Sequence, residues 1–374
     1  MDILDSISKD DIFIIPIRLD NCEPTDQRLK SLNCADFSES YEKGLKQLMR
    51  VLTPEKSPDL QSIDSKISPA RESLNEKTFI NKLFDMFHTY KAVLLFAQEE
   101  REHARVHDNL MAHAETFFGK QRILHIVPPH GSNMNMESYF SMIGEQCRSA
   151  DTITNHIGFM RLIQNKLDNS TRLLLLVSRF EQGNEQGGIE LAGALRSLNE
   201  QYPKNLNILI CGGEKLAEMY YCGGSLSLLN HAEVIQWPEL TPDDICFLFP
   251  EKLLTAQIAE ELLDLSGGHP RLIQESLGFC HPDSGFDQDE CYDVILQSPF
   301  LWQLFTHFHK DETQCRNMCE MLNCEDICPY QPYIYDPLTR HLYWKNLLKR
   351  SKDGKRLIWR CSIIKEAGKQ ALKC

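Results

Sequence analysis

Five short strand-like runs, most of them apolar, alternate with amphipathic segments between residues 92 and 236. The runs 92–96, 123–127, 173–177, 206–211 and 233–236 have the length of strands. Between them, residues 137–150, 157–169 and 189–202 carry apolar side chains at helical spacing. This alternation predicts an α/β fold with a parallel sheet covered by helices on both faces. Right-handed crossovers bring the carboxyl ends of such strands to one edge, where ligands normally bind.

The loop after the first run lies where nucleotide-binding α/β domains bind phosphate. Working sites use glycines that let backbone N–H groups approach the phosphates, a lysine that neutralises charge, and a hydroxyl that binds Mg²⁺. Residues 97–105 contain no glycine, lysine, serine or threonine. Three glutamates, Glu99, Glu100 and Glu102, would repel a triphosphate instead. The sequence therefore predicts an NTPase scaffold without the phosphate-binding chemistry.

The order of elements over residues 78–290 resembles the AAA-like and STAND-type regulatory P-loop NTPases. The landmarks are the strands 92–96 and 173–177, the sensor-like strand end at 206–213, Leu240-Thr241-Pro242 at the start of a helical lid, and the turn Gly267-Gly268-His269-Pro270. The resemblance implies a nucleotide site at the strand ends. Its degenerate candidates are Ala97, His103, Ser178, Arg179 and His269.

The second acidic motif of these NTPases is also missing. Working members have Asp-Glu after the strand 173–177, where this chain has Ser178-Arg179, and Glu181 comes three residues late. His269 either contacts a γ-phosphate from the lid or is a capping or core histidine of its turn. We therefore predict a pseudo-NTPase. Binding of ATP or ADP without hydrolysis is the alternative.

Residues 13–23, 28–29, 35–37 and 41–45 resemble the last third of a bacterial TIR domain, which has a flavodoxin-like fold. NAD cleavage in active TIR domains depends on a glutamate of an earlier helix, which has no counterpart in this sequence. We expect a partial TIR domain over 1–55 without that activity. Prolines and serines then punctuate a predicted linker over 56–77.

Residues 291–374 are predicted to form a small domain that resembles a winged helix. Helical periodicity from Phe300 is followed by a hairpin signal, Asp353-Gly354, between apolar runs. Residues 338–374 contain eleven Lys/Arg and two Asp/Glu, although the whole chain has a net charge of −13. Such a basic end is typical of a surface that binds nucleic acid or another anion, and the same module also packs within proteins. The candidate anion-binding residues are Lys349, Arg350, Lys352, Lys355, Arg356 and Arg360.

The cysteines offer a metal site as a further alternative. Four of the fourteen follow one another as C-x3-C-x4-C-x3-C, downstream of His307 and His309. Thiolates at i and i+4 share a helical face and could bind zinc, but the spacing fits equally well two buried thiols on an apolar stripe. The candidate ligands are Cys315, Cys319, Cys324 and Cys328.

These observations favour a non-catalytic regulatory or adaptor protein. Apolar runs such as 173–177 are too short to span a bilayer, and the acidic start has no signal-peptide character, so we expect a cytoplasmic protein without a membrane partner. We expect a protein partner or self-association and no required cofactor. By the resemblance, such architectures belong to bacterial signalling and defence systems. The alternatives are a DNA-binding module that acts through the basic wing and a nucleotide sensor.

Overall fold

The computed structural model describes residues 17–18, 35–36, 73–100, 104–131, 134–167, 172–222, 232–281 and 285–374. The chain divides into two compact units, 1–67 and 68–374. In the first unit, the strands β1 (Ile17–Arg18) and β2 (Ala35–Asp36) pair in parallel. The rest of the TIR-like segment, most of the predicted linker and His103 lie outside the described residues, so the TIR resemblance stays a prediction.

A five-stranded parallel sheet lies at the centre of the second unit. Its strands are β3 (Ala92–Phe96), β4 (Ile123–Ile126), β5 (Leu173–Val177), β6 (Leu206–Gly212) and β7 (Glu233–Gln236), in the spatial order β4-β5-β6-β3-β7. Three strands have the predicted bounds, while β4 ends one residue earlier and β6 one residue later. The predicted α/β fold class, built on a parallel sheet, is confirmed.

Both faces of the sheet are covered, which explains why β3 and β5 are apolar throughout. Val93, Leu95 and Leu174 pack in one cluster with α1 (Leu74–Thr89) and α2 (Ala104–Phe118). Leu94 and Leu175, on the opposite face, belong to a larger cluster. That cluster includes side chains of α3 (Met136–Gln146), α4 (His156–Lys166), α5 (Glu185–Gln201) and α6 (Glu214–Tyr221). The alternation of strand side chains between two buried faces is what a central parallel sheet requires.

Asparagine and serine caps set several helix starts that hydrophobic spacing alone places only approximately. Asn135, Asn155 and Asn184 each accept a hydrogen bond from the N–H three residues on. The predicted helices 137–150, 157–169 and 189–202 therefore begin one to four residues earlier than expected. Ser73 caps α1 in the same way, so the last residues of the predicted linker, 74–77, are helical.

The helical lid follows β7, and its two predicted turn signals are confirmed. Thr241 caps α7 (Pro242–Leu248) in a reciprocal capping box with Asp244. Gly267 ends α8 (Ala256–Ser266) with a φ of 61°, a left-handed conformation that favours glycine. Pro270 opens α9 (Pro270–Ser276). A two-stranded ribbon, β8 (Cys280–His281) and β9 (Gly285–Phe286), completes this part.

The C-terminal region combines helices with a three-stranded antiparallel sheet. The helices are α10 (Gln288–Leu296), α11 (Pro299–Thr306), α12 (Glu312–Asn323), α13 (Pro337–Trp344) and α14 (Ser362–Leu372). The strands β10 (Asp326–Pro329), β11 (Leu348–Arg350) and β12 (Arg356–Trp359) lie in the order β10-β12-β11. The hairpin predicted at Asp353-Gly354 is confirmed, with a φ of 72° at Gly354.

The C-terminal region and the central sheet share one hydrophobic core. Leu94 and Val177 of the sheet belong to the same buried cluster as Leu342 and Leu357. Residues 291–374 accordingly fall within the single compact unit 68–374. No helix in the described part of the chain is long and apolar enough to cross a membrane.

Candidate functional site

A cavity of about 410 Å³ opens at the carboxyl edge of β3, β5 and β6. This is the edge at which α/β sheets normally bind ligands. The loops that follow the three strands supply most of its wall, and the C-terminal region supplies Trp344 and Lys345. Its lining residues are Ala97, Gln98, Glu99, Glu100, Arg179, Glu181, Gln182, Gly212, Gly213, Glu214, Lys215, Trp344 and Lys345. The cavity therefore lies where the sequence placed the degenerate phosphate loop.

Gln98 fastens the loop after β3 to the C-terminal region. Its side chain is buried, and its Nε2 donates to the carbonyl oxygens of Tyr343 and Leu348. Its Oε1 accepts a hydrogen bond of 2.7 Å from Nη2 of Arg360. All the hydrogen-bonding atoms of this side chain are thus engaged inside the protein. Gln98 bonds to the residues at the end of α13 and the start of β11.

Glu99 adds backbone bonds to the same contact. Its N–H donates to the carbonyl of Trp344 at 3.0 Å, and its carbonyl accepts from Nδ2 of Asn346 at 3.1 Å. Its carboxylate forms an ion pair with Lys345 at 2.5 Å. Since both ends of that pair are solvent-exposed, the backbone bonds contribute most of the stabilisation. The loop N–H groups that a phosphate would need are therefore partly used by the protein itself.

Arg360 is buried at the centre of this contact, which corrects its predicted place on a basic wing. The side chain is 0% exposed and donates to Gly267 O, Asn346 O and Gln98 Oε1. It also forms an ion pair with Glu239 at 2.8 Å. A buried guanidinium requires several acceptors, and its partners come from distant parts of the chain. Arg360 therefore joins the phosphate-loop position, the lid turn and the C-terminal region.

Glu181 supplies an anion at the start of α6. Its Oε1 accepts hydrogen bonds from the N–H groups of Gly213 at 2.5 Å and Lys215 at 2.9 Å, with a longer contact to Leu216. Burial raises the pKa of this carboxyl above its usual value, although the three N–H bonds oppose the shift. Glu181 therefore contacts the start of a helix, but not of the helix that follows it in the chain.

The residues after β5 divide between the core and the cavity. Ser178 is buried, and its Oγ lies 2.8 Å from Nε2 of His125. Burial lowers the pKa of His125 to about 4, with a smaller contribution from the nearby His107. This imidazole is therefore neutral at pH 7. Arg179 is exposed, lines the cavity and has a φ of 49°. Ala97 and Arg179 are therefore the predicted nucleotide-site residues that line the cavity.

His269 is a buried residue of the lid turn. Its ring is 2% exposed and lies 5.5 Å from the ring of Phe300, centroid to centroid. Its Nδ1 is 4.0 Å from Oε2 of Glu100. Its backbone N–H donates to Ser266, and its carbonyl accepts from Ile273 at the start of α9. The capping or core interpretation of this histidine fits its position better than a phosphate contact does.

The predicted cluster of six basic residues is not one surface. Lys349 is half-buried. Burial is the main cause that lowers the pKa of its amine, and the nearby charge of Arg360 lowers it further. Arg350 stacks over the ring of Tyr330 at 3.6 Å. Arg360 is buried, as described above. The other three, Lys352, Lys355 and Arg356, are exposed on the hairpin, and Arg356 pairs with Asp326.

Of the two alternatives for the cysteine cluster, a metal site and buried thiols, the described residues do not show the metal site. Cys319 forms a disulfide with Cys374, because α14 packs along α12 and brings the end of the chain to it. Cys324 is exposed and its thiol donates to the carbonyl of Glu320. Cys315 and Cys328 are half-buried free thiols. Among the described residues, no group of His, Cys, Asp or Glu is arranged to bind a metal.

Sequence reasoning did not identify the residues that close the site. Gln98, Glu239 and Asn346 are ordinary polar residues whose neighbours in the sequence give no signal of burial. Their partners lie far away in the chain, so only the tertiary structure shows the contact. A buried Arg is rare unless it is paired, and for that reason Arg360 was assigned to the surface.

No protein-family model matches the chain, and no curated protein sequence is similar to it. Solved structures similar to it include the Walker-type ATPase PABY2304 of Pyrococcus abyssi, at 13% identity and a TM-score of 0.49, covering 84% of this chain and 99% of that chain. The ORC2 protein of Aeropyrum pernix is 9% identical with a TM-score of 0.40, covering 87% and 98%. Cdc6p from Pyrobaculum aerophilum is 12% identical with a TM-score of 0.40, covering 83% and 98%.

Proposed function

We propose that this chain is a non-catalytic regulatory or adaptor protein built on an NTPase-like scaffold. The observation that carries the proposal is the contact between the loop after β3 and residues 343–348. Gln98 and Glu99 use their side-chain and backbone groups to bind this C-terminal segment. The loop that would receive phosphates in a working NTPase is in this protein a structural connection.

The charges around the cavity support the same proposal. Four carboxylates, from Glu99, Glu100, Glu181 and Glu214, face three cations, from Arg179, Lys215 and Lys345. Burial raises the pKa of Glu100, and the nearby Arg271 opposes this shift. A phosphate charge about 4 Å from one carboxylate would be repelled by roughly 1–4 kcal/mol, depending on solvation. A triphosphate with Mg²⁺ would thus meet more negative than positive side chains.

Titration calorimetry with ATP and ADP, with and without Mg²⁺, tests the proposal together with a phosphate-release assay. We expect neither micromolar binding nor hydrolysis by the wild-type protein. The variant Glu100→Gln/Glu181→Gln should bind nucleotide more tightly than wild type, because two repulsive charges are removed. Glu200→Gln, on the exposed face of α5, is the control and should behave as wild type. Hydrolysis that copurifies with the protein at constant specific activity would overturn the proposal.

An adaptor needs a partner, and we expect it to be a protein or a second copy of this chain. We connect this role with bacterial signalling or antiphage defence on the TIR and STAND resemblances alone. Sedimentation velocity over a range of protein concentrations tests self-association. A monomer at all concentrations would direct the search to a different protein.

DNA binding through the hairpin is a second candidate function. The observation that favours it is the exposure of Lys352, Lys355 and Arg356 on one hairpin. A duplex-DNA mobility shift at low salt should be lost in Lys352→Glu/Lys355→Glu and kept in Lys310→Glu, which changes an exposed lysine of another segment. Binding through these residues should weaken as salt rises. Absence of any shift at low salt would exclude this function.

A further inference from the structure

A second cavity, of about 210 Å³, lies beside the first at the carboxyl ends of β3 and β7. Four aromatic residues, three other polar residues and one arginine line it. Its lining residues are Phe96, Gln98, Gln236, Trp237, Glu239, Tyr343, Trp344 and Arg350. It shares Gln98 and Trp344 with the larger cavity, but the loops after β5 and β6 do not reach it.

The polar side chains of this cavity are occupied by partners within the protein. Gln236 donates to the hydroxyl of Tyr330 and accepts from the hydroxyl of Tyr343. Both oxygens of Glu239 accept from Arg360, so the buried guanidinium offsets this negative charge. Burial raises the pKa of Tyr343, so its phenol stays neutral. These groups hold the cavity in shape and leave Arg350 as its distinctive charge.

Arg350 is a guanidinium without a carboxylate partner in the described part of the chain. It lies 3.6 Å above the ring of Tyr330 and donates from Nη2 to the hydroxyl of that residue. Its Nε is buried and has no hydrogen-bond partner. A half-buried cation normally finds an anion, because desolvating an uncompensated charge is costly. The neighbouring arginines Arg340, Arg356 and Arg360 each have an acidic partner.

We propose that this cavity binds a small aromatic carboxylate. The ring would pack among Phe96, Trp237 and Trp344, and the carboxylate would accept hydrogen bonds from Arg350. A cavity of about 210 Å³ is below the range of drug-sized ligands, which limits the ligand to one or two rings. Because the walls come from β3, β7, α13 and β11, the bound ligand would join the central sheet to the C-terminal region. The inference stands on this cavity and does not depend on the absence of nucleotide binding.

Benzoate and benzamide are matched probes, since they share a ring and differ in charge. Titration calorimetry gives the affinities, and quenching of tryptophan fluorescence reports on Trp237 and Trp344, which line the cavity. We expect benzoate to bind about tenfold to a hundredfold more tightly than benzamide, because a charge-assisted hydrogen bond is lost with the neutral probe. Acetate, which has no ring, should bind no better than benzamide.

Two variants and a control complete the test. Arg350→Met should remove the preference for benzoate, while Lys352→Met, two residues away on the exposed hairpin, should keep it. If Arg350→Met does not fold, Arg350→Lys retains the charge and should still prefer benzoate over benzamide. Equal affinity of the wild-type protein for the two probes, or no saturable signal with benzoate at millimolar concentrations, would overturn the proposal. Nucleotide titrations of the same variants separate this result from the proposed function.

Discussion

Replacing Arg360 by methionine is expected to destabilise the protein more than any other change of a single charged residue discussed above. The side chain is fully buried and donates to three buried acceptors, Gln98 Oε1 at 2.7 Å, Gly267 O at 3.0 Å and Asn346 O at 3.0 Å. Methionine keeps most of the apolar stem and removes the guanidinium. The substitution therefore tests the hydrogen bonds separately from the packing.

The magnitude follows from the acceptors that lose their donor. Each buried acceptor left unpaired costs about 1–3 kcal/mol, and water that enters the space vacated by the guanidinium recovers part of this. The fourth partner, Glu239, is 51% exposed, so water replaces most of that ion pair and its loss adds only about 0–1 kcal/mol. We expect a loss of about 3–5 kcal/mol in the free energy of unfolding, which corresponds to a fall in Tm of roughly 10 °C.

Urea unfolding followed by circular dichroism measures this loss, with Arg356→Met as the matched control. Arg356 lies on the same hairpin, is exposed and pairs with Asp326 at the surface, so its replacement should cost about 0–1 kcal/mol. If the two variants differ by less than about 1 kcal/mol, Arg360 does not join the three segments as described. A changed m-value would instead indicate that the denatured state or the two-state behaviour was altered.

Three further predictions concern the lid and the cavity. Gly267→Ala should lower the free energy of unfolding by about 1–3 kcal/mol or more. The φ of 61° strains any residue other than glycine, and the added Cβ would overlap the carbonyl of Arg360. Gly278→Ala is the control and should be close to neutral in the same unfolding assay, because nothing lies within 4 Å of its Cβ position. Thr241→Ala should cost about 1 kcal/mol through loss of the capping box, measured as a lower urea midpoint at unchanged m-value. Burial raises the pKa of the Glu181 carboxyl above 4.5 in the folded state. The folded state therefore binds this proton more tightly than the unfolded state does. The resulting stabilisation is complete below pH 4.5 and is lost as the pH rises through the folded-state pKa. Wild type should therefore lose stability relative to Glu181→Gln over that range, and parallel pH profiles of the two proteins would contradict the assignment.

The fold could be predicted because its signals are local. Apolar runs of strand length and Gly or Pro at turn positions depend on neighbours within a few residues. The strand 92–96, the helix start at Thr241-Pro242 and the turn at Gly267 were each predicted from such neighbours and confirmed. The helix ends were less accurate, because an asparagine cap such as Asn184 extends a helix beyond the range that its apolar residues indicate.

The position of the cavity could be predicted from the sequence, but the contacts of its loops could not. The cavity lies at the strand ends where the sequence places the degenerate phosphate loop. What the loop contacts depends on pairs such as Gln98 with Leu348, which are 250 residues apart. The partners of Arg360 and Cys319 could not be predicted for the same reason. Glu239, which forms an ion pair with Arg360, and Cys374, which forms a disulfide with Cys319, are distant from them in the chain.

The contact between the loop and the C-terminal segment also bears on the nucleotide-sensor alternative. To move the loop, a nucleotide would first have to break two hydrogen bonds of Glu99, to Trp344 and Asn346. It would also have to break three of Gln98, to Tyr343, Leu348 and Arg360. These five hydrogen bonds, at about 1 kcal/mol each, set the cost of this opening at roughly 4–5 kcal/mol, so at most about one molecule in a thousand would be open. An intrinsic micromolar affinity would then appear as a millimolar one, because apparent affinity falls with the competent fraction. A ligand shifts this equilibrium only by its preference for the open form. A cellular nucleotide would therefore act on this protein only if it bound the open form much more tightly than micromolar. The excess of carboxylates around the cavity opposes such tight binding.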